Sequence, residues 1–291
     1  MDKLFETLIG GYTGYWSYLT GEMFNLGWHN YFWWLVGLSL FVWILEIFFP
    51  WRKDQSLFRK DFWLDGFYMF FNFFLFSLIG YNALSNIVVE LFSNLLAAAG
   101  IRNLIALNIS GWPGWAQMLF LFVVADFLQW NIHRLLHHVP WLWTFHKVHH
   151  SVEEMGFAAH LRYHWMETIV YKSIQYIPLA MIGFGLKDFF IVHIFSVAIG
   201  HFNHANLNIS WGPLRYILNS PGMHIWHHAK NLPEGRTGVN YGISLSLWDY
   251  LFGTAWIPYS GRDEKLGFEG VENFPSTFVD QVTYPFKKEK K

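Results

Sequence analysis

Histidine is concentrated in one part of this chain. Fourteen of its fifteen histidines lie between His133 and His228. Positions i, i+3 and i+4 of a helix share one face, so closely spaced histidines can direct two or three imidazoles at a single point. That spacing is typical of a metal site built from helices. The four clusters are HRLLHH at 133–138, HKVHH at 146–150, HFNH at 201–204 and HIWHH at 224–228.

The number of clustered histidines favours two metal ions over one. A single tetrahedral metal takes about four ligands, and a catalytic one leaves a position open. The clusters hold more imidazoles than that, so the surplus fits a second metal and supporting histidines. Soluble di-iron bundles use glutamates and Glu-x-x-His pairs, and this window contains no such pair. Because the chain has no cysteine, thiolate ligands, iron–sulfur clusters and c-type haem attachment are excluded.

The composition is typical of a membrane protein. Hydrophobic residues make up 53% of the 291 residues, aromatic residues 21% and charged residues only 14%, which is too apolar for an ordinary soluble domain. The opening MDKLFETLIGGYTG lacks the order of a cleaved signal peptide, so we expect the first apolar run to stay in the mature protein. The net charge of −1 gives no indication of nucleic-acid binding, and we expect no such partner.

Apolar runs of about 20 residues are long enough to cross a bilayer as helices. The stretch from Ser85 to Gly114 is apolar but interrupted by glycine and proline, which predicts an interfacial loop. The fifth run is short for a span, so a re-entrant hairpin with the fourth is an alternative. The predicted spans are Trp28–Phe49, Phe62–Leu84, Trp115–Ile132, Thr168–Phe184 and Phe189–His201.

The basic residues predict the orientation of these spans. With five crossings from an outside N-terminus, only Lys3, Arg102 and Lys187 of the 20 basic residues lie outside. Basic residues are enriched on the cytoplasmic side of membrane proteins. The four histidine clusters are therefore predicted to meet at the cytoplasmic membrane surface.

These patterns predict an all-α polytopic bundle of four to five spans with a cytoplasmic helical cap that carries the histidines. Residues 1–291 are expected to form one domain, because no internal repeat or low-complexity tract interrupts the chain. No long alternation of apolar and polar residues indicates a strand. Gly212-Pro213 predicts a turn. Ser220-Pro221 predicts a helix start, with serine as the N-cap and proline at the first helical position.

Several motifs, in order, resemble those of the fatty acid hydroxylase or sterol desaturase superfamily. HRLLHH followed by WLWTFHKVHHS is similar to the first two histidine boxes of the family, and HFNHANL and HIWHH are similar to its later boxes. RYHWMET at 162–168 resembles an Arg-x-His-Pro-x-Glu element in which Trp165 replaces the proline. NYGISLSLWDYLFGT at 240–254 resembles the closing signature. The resemblance covers roughly residues 115–257, which we take as the catalytic region.

The resemblance implies a set of metal ligands and a set of supporting polar residues. His164 belongs to the ligand set through its motif, although the change from proline to tryptophan beside it leaves the local backbone open. His160 lies four residues before His164 and could share its face. The implied ligands are His133, His137, His138, His146, His149, His150, His164, His201, His204, His224, His227 and His228, and the implied supporting residues are Asp126, Glu167, Asn240 and Asp249.

Some polar residues have two interpretations. Asp126 lies seven residues before His133, so it either orients a ligand histidine or satisfies a neighbouring helix. His193, inside the fifth span, is expected to pack, and His29 is expected to lie at the membrane interface. The aromatic density from Tyr68 to Phe76 either packs the bundle or lines a lipid channel.

By the same resemblance, the protein is expected to be a di-iron, O2-dependent oxidoreductase that hydroxylates a C–H bond of a membrane lipid, with desaturation as the alternative. No flavin, nicotinamide or haem motif is visible, so electrons must come from a ferredoxin-like or cytochrome-b-like donor. The expected location is the bacterial inner membrane or the endoplasmic reticulum. A zinc site in place of iron is possible, since imidazole binds both metals.

Three functions from other classes fit the clusters less well. A membrane zinc hydrolase would activate water with about three protein ligands, far fewer than this chain offers. A bis-histidine haem carrier would use single histidines opposed across the bundle. A metal transporter would distribute histidines and acids through the depth of the bilayer.

Overall fold

The chain folds as a set of α-helices that surround the clustered histidines. The computed structural model describes residues 2–27, 30–83, 98, 100, 109–168, 170–171, 174–175 and 186–287. No β-strand occurs among these residues, and three isolated bridges pair Pro50 with Leu207, Leu218 with Leu245 and Ala229 with Leu266. The all-α fold class is therefore confirmed over the described part of the chain.

Among the described residues, four short 3₁₀ turns lie between or after the helices, at Phe157–Leu161, Gly212–Tyr216, Val271–Asn273 and Tyr284–Phe286. The α-helices are α1 Asp2–Phe24, α2 Tyr31–Phe48, α3 Phe62–Ala83, α4 Gly114–His138, α5 Pro140–His150, α6 Leu186–His204, α7 Pro221–His227, α8 Leu247–Leu251 and α9 Phe278–Thr283.

The long helices follow the predicted spans with shifted ends. Helices α2 and α3 coincide with the first two spans to within about three residues. Helix α4 continues past Ile132 to His138, so the HRLLHH cluster forms its last turns. Helix α6 has 19 residues and is longer than the predicted fifth span. The predicted loop from Ser85 to Gly114 and the fourth span lie mostly outside the described residues.

Two of the described helices, α2 and α4, are long and apolar enough to cross a membrane. Their outward faces carry large apolar side chains, among them Phe41, Ile44 and Trp115, which are 52%, 47% and 72% exposed. The number of spans and the side on which the histidines lie stay predictions.

Helix α1 has no counterpart among the predicted elements. It runs for 23 residues and includes Gly10, Gly11 and Gly14, which lower helix propensity and interrupt the apolar pattern. Leu19 of α1 is buried against Leu35 of α2 and Phe73 of α3. Tertiary packing therefore stabilises a helix that local propensity does not indicate.

Helix α7 begins as its sequence predicts. The Ser220 Oγ accepts a hydrogen bond from the Met223 N–H at 3.3 Å, and Pro221 occupies the first helical position. The serine thus satisfies one N–H of the first turn, and the proline has none to satisfy. The start of α7 determines the rotation of the helix, and hence the direction in which its three histidines point.

A buried ion-pair network supports the 3₁₀ turn at Phe157–Leu161. Arg162 is 1% exposed, and its guanidinium donates to Asp61 at 2.9 Å, to Asp65 at 3.1 Å and to the Ser151 hydroxyl at 2.9 Å. Arg59 donates to the other oxygen of Asp65 at 2.5 Å. The network joins the start of α3 to the segment that follows α5.

Arg162→Met should lower the free energy of unfolding by about 3 kcal/mol, because it removes one of the two arginines that pair with the buried Asp65 as well as the partner of Asp61. The matched control is Lys60→Met, which removes the exposed Lys60–Glu153 pair and should cost less than about 1 kcal/mol. Thermal unfolding of the purified variants in detergent measures both. Equal midpoints for the two variants would contradict a structural role for the Arg162 network.

Candidate metal centre

Nine buried histidines form two adjacent groups. In each group the candidate ligand atoms all lie within 4.8 Å of one another. The groups meet where the rings of His150 and His228 stack with their centroids 4.4 Å apart. The first group is His133, His137, His146, His150 and His227, and the second is His149, His204, His224 and His228.

Helical spacing divides the histidines between the groups. Helix α4 contributes His133 and His137 to the first group, and α5 contributes His146 and His150; each pair is four residues apart and so shares one face. Helix α7 shows the same four-residue spacing. His224 and the C-cap residue His228 belong to the second group, whereas His227 belongs to the first. His149 of α5 and His204 of α6 complete the second group.

Six of the nine histidines use Nδ1 to bind a protein oxygen. Five of these oxygens are backbone carbonyls, which can only accept, so each partner Nδ1 must carry the proton. The neutral imidazole then presents an unprotonated Nε2 towards the centre. The contacts are His133 to Tyr241 O at 2.7 Å, His137 to Thr237 O at 3.3 Å, His227 to Val239 O at 2.8 Å, His149 to Arg162 O at 3.1 Å, His204 to Gly200 O at 2.7 Å, and His146 to the Glu167 carboxylate at 2.8 Å.

This tautomer pattern brings lone pairs together. The Nε2 atoms of His149 and His204 are 3.3 Å apart, and those of His133 and His146 are 3.1 Å apart. Carbonyls fix the proton on Nδ1 of both His149 and His204, so neither ring can donate to the other. The same holds for His133 and His146 when Glu167 is ionised. A cation between them converts this repulsion into coordination, so the donor set fits a metal ion.

Other buried nitrogens in the groups have no hydrogen-bond partner among the described residues. They are the Nε2 atoms of His137, His150 and His227, the Nδ1 atom of His224 and both ring nitrogens of His228. Buried polar atoms of proteins are nearly always paired. This concentration of exceptions at the meeting point of the two groups is a second observation that fits metal binding.

Burial keeps the imidazoles of α5 and α7 neutral. It lowers the pKa of His149 to about 3, and it holds the pKa of His146, His150, His224 and His228 well below the ordinary value, with further lowering from neighbouring imidazoles. Metal ligands must be unprotonated. These side chains are therefore already in the form that binds metal at neutral pH.

The segment 237–241 orients three histidines of the first group. Its alternate carbonyls, those of Thr237, Val239 and Tyr241, accept from His137, His227 and His133. Asp249 holds the end of this segment by accepting from the Tyr241 N–H at 2.9 Å and the Gly242 N–H at 2.8 Å. Asp249 thus acts on His133 through one backbone carbonyl.

Asn240 attaches the same segment to α7. Its amide donates to Met223 O at 3.0 Å and to Trp256 O at 2.8 Å, and its oxygen accepts from the Trp256 N–H at 2.7 Å. Its φ is 51°, in the left-handed region that asparagine adopts more readily than most residues. Asn240 therefore positions backbone and contacts no histidine side chain of the two groups.

Glu167 has two roles in the RYHWMET motif. One carboxylate oxygen accepts from the His146 Nδ1–H, and the other accepts from the His164 N–H at 3.2 Å. The second contact closes a capping box at the helical turn 165–168, in which Trp165 occupies the first position, where proline is common. The tryptophan is therefore compatible with the local backbone. Burial raises the pKa of Glu167 to about 8, and a cation bound nearby would favour its ionised form.

Three of the predicted ligands lie outside both groups. His138 is exposed at the end of α4, with Nδ1 2.8 Å from Arg134 O. Both ring nitrogens of His164 have protein partners, since Nε2 donates to Val282 O at 2.9 Å and Nδ1 accepts from the Met166 N–H at 3.1 Å. His201 lies between Ser39, with Nε2 3.1 Å from Oγ, and His160, with the two Nδ1 atoms 3.2 Å apart.

His160 borders the second group without joining it. Its ring lies 5.2 Å from that of His204. Gly200 of α6 makes this possible, because a β-carbon at that position would overlap the His160 ring. His193, which was expected to pack, lies with Nε2 2.9 Å from the Tyr31 hydroxyl, and His29 lies outside the described residues.

Asp126 accepts hydrogen bonds from the segment 244–248 and contacts none of the clustered histidines. It accepts from the Ser244 N–H at 3.1 Å, the Leu245 N–H at 3.3 Å and the Trp248 indole at 2.9 Å. The second of its two interpretations therefore describes the structure. Asp126 and Asp249 together tie the segment 241–248 to α4, since Asp249 also accepts from the Trp130 indole at 2.9 Å.

Sequence reasoning assigned no role to Arg162, although its motif contains it. The Arg162 carbonyl orients His149 while its side chain forms the buried network. The presence of an arginine in a histidine motif could have indicated a structural role. Its partners Asp61 and Asp65 could not be predicted, because they lie about 100 positions earlier in the chain.

A cavity of about 130 Å³ lies beside the two groups. Five of the nine clustered histidines line it, together with residues of α4, α6 and the segment 160–175. The histidines in its wall are His133, His146, His149, His204 and His224.

These features describe a helical protein with two buried histidine groups that could each hold a metal ion, and with room for a small group or part of a larger molecule beside them. Residues 118–254 match the family model of fatty acid hydroxylase. The match confirms, for this region of the chain, the resemblance that the histidine motifs indicate.

Curated relatives are similar over the same part of the chain. An ornithine lipid hydroxylase of Rhizobium tropici is 34% identical over 177 residues, which are 61% of this chain and 52% of that protein. The alkylglycerol monooxygenase of Homo sapiens is 34% identical over 159 residues, 54% of this chain and 33% of that protein. A very-long-chain aldehyde decarbonylase of Oryza sativa is 28% identical over 142 residues, 45% and 21% of the two chains.

The chain thus spans about half or less of the length of these relatives. No solved structure matches it significantly.

The metal-free protein should lose stability as pH falls below about 6.5. The buried imidazoles of α5 and α7 stay neutral in the folded state but take up protons once unfolded, so each lowers the free energy of unfolding by up to about 1.4 kcal/mol per pH unit. For His149 this continues down to its folded-state pKa of about 3. Unfolding midpoints of chelator-treated protein in detergent between pH 7.5 and 5 measure the effect. His149→Gln should give a shallower slope, and a midpoint independent of pH would contradict the neutral-imidazole assignment.

Proposed function

We propose that this protein is a membrane-bound di-iron oxygenase that hydroxylates a C–H bond of a lipid. The observation that carries the proposal is the pair of buried histidine groups with inward, unprotonated nitrogens. The family match over residues 118–254 supports oxygenase chemistry, and the names of two relatives, a lipid hydroxylase and an alkylglycerol monooxygenase, support hydroxylation of a lipid.

The two groups would hold one ion each. The first offers five nitrogen atoms and the second four. Histidine alone does not select iron, because the same donors bind zinc; iron is proposed from the family. A role outside the metal centre is proposed for His138, His164 and His201, because their ring nitrogens have other protein partners or face solvent.

Iron would supply the activation of O2 and the oxidation of the substrate. In the overall reaction, a C–H bond would react with O2, two electrons and two protons to give a C–OH group and one molecule of water. The protein orients the ligand rings through the carbonyls of the segment 237–241 and through Glu167. The cavity borders both groups, through His133 and His146 on one side and His149, His204 and His224 on the other, and would hold the substrate beside them.

The membrane is proposed as the source of the substrate. The outward faces of α2 and α4 are apolar, and large exposed apolar surfaces mark contact with lipid or another protein. We propose a multi-pass arrangement with the centre on the cytoplasmic side, where the basic residues concentrate. A ferredoxin-like or cytochrome-b-like protein is proposed as the electron donor. Residues 1–291 are proposed to form a single domain.

His150→Ala and His228→Ala should each reduce bound iron from about two ions per chain to about one, because each removes a nitrogen from a different group. Elemental analysis of purified, iron-reconstituted protein measures this. His138→Ala is the control and should retain the full amount, since its ring is exposed and outside both groups. Loss of metal in His138→Ala, or full retention in both other variants, would contradict the assignment.

Cells that express the wild type under 18O2 should contain a lipid that carries one labelled oxygen and is absent from cells that express His227→Ala. Comparative lipid mass spectrometry measures this. A product two hydrogen atoms lighter and without label would indicate desaturation instead. Turnover without O2 by a protein with one zinc ion per chain would favour a hydrolase and contradict the proposal.

A further inference from the structure

The cavity extends from the histidine groups along two helices. On α4 its wall runs from His133 through Gln129 to Ala125, and on α6 it runs from His204 to Val192. At 1.5 Å per residue, the wall on α4 is about 12 Å long. The cavity therefore leads from the centre towards the middle of a helix that is long and apolar enough to span a membrane.

Gln129 is the polar residue of α4 that faces this cavity beside the histidines. It lies four residues before His133 and shares its face. The other amides of α4 have protein partners: Gln117 donates to Trp112 O at 2.9 Å, and Asn131 donates to Phe127 O at 2.9 Å. Among the described residues, none accepts from or donates to the Gln129 amide.

Gln129 is half-buried and lines the cavity, so its amide is open to a molecule in that space. Polar residues inside membrane helices mark sites of function. The Gln129 amide can both donate and accept. Ser196 and the tyrosines at 163 and 171 also line the cavity. The wall is thus equipped to hydrogen-bond a substrate, which a plain hydrocarbon chain does not require.

We propose that Gln129 binds a hydrogen-bonding group of the lipid, such as an ester, amide, ether or hydroxyl, and that the carbon that is oxidised lies close to that group. The inference rests on the proposed function. Residues four apart on a helix are separated by about 6 Å along its axis, and an extended chain advances about 1.2 Å per bond. The reactive carbon is therefore within about five bonds of the polar group.

The test uses the total membrane lipid of expressing cells under 18O2, analysed by tandem mass spectrometry that locates the labelled oxygen. The wild type should place the label within about five bonds of a heteroatom. Gln129→Met, which keeps the size but loses both hydrogen-bonding functions, should reduce the labelled lipid at least tenfold or spread the label over neighbouring carbons, with iron content unchanged. Gln129→Glu, which keeps an acceptor, should retain more of the original position than Gln129→Met.

The matched control is Asn131→Leu, two residues away on the same helix, with an amide already bonded to Phe127 O. It should keep the position of the label. Label in the middle of a hydrocarbon chain, or an unchanged amount and position in Gln129→Met, overturns the inference and leaves the proposed function intact. A wild type that yields no labelled lipid overturns the proposed function and the inference with it.

Discussion

The structure depends on the repulsion between unprotonated imidazole nitrogens that face one another in a buried space. Backbone carbonyls hold the proton of five of the nine rings on the outer nitrogen. The inner nitrogens of a pair such as His149 and His204 therefore cannot hydrogen-bond to each other. A cation in each group would resolve the conflict, and the surrounding fold keeps the rings in this arrangement.

Backbone geometry far from the centre determines ring orientation. The segment 237–241 offers alternate carbonyls to three histidines, and Asp249, Asp126 and Asn240 attach this region to α4 and α7. On the opposite side, the Arg162 carbonyl orients His149 while its guanidinium joins α3. Polar partners of metal-binding histidines commonly fix the tautomer and the direction of the ring. In this protein, backbone carbonyls orient five of the histidine rings, and the Glu167 carboxylate orients His146.

Much of this arrangement follows from local sequence patterns. Spacing of four residues predicts the pairs that share a group, and Ser220-Pro221 predicts the start of α7, because both are properties of a single helix. The expectation that histidines three residues apart point to the same place is wrong for His149 and His227, which face the other group. The ordered motifs indicate the family. The positions of His201 and His164 outside both groups depend on contacts with Ser39, His160 and Val282, which are distant in the chain, so spacing alone could not predict these positions. Helix α1 was missed because packing, and not propensity, stabilises it.

The central claim is that each histidine group holds one iron ion through inward nitrogen atoms. Anomalous X-ray scattering at the iron edge, from crystals of the iron-reconstituted protein, tests it most directly. The account predicts two iron peaks, one inside each group, with Nε2 of His149 and His204 on one ion and Nε2 of His133 and His146 on the other. A single iron peak, or iron bound at His138, His164 or His201 with either group empty, would contradict it.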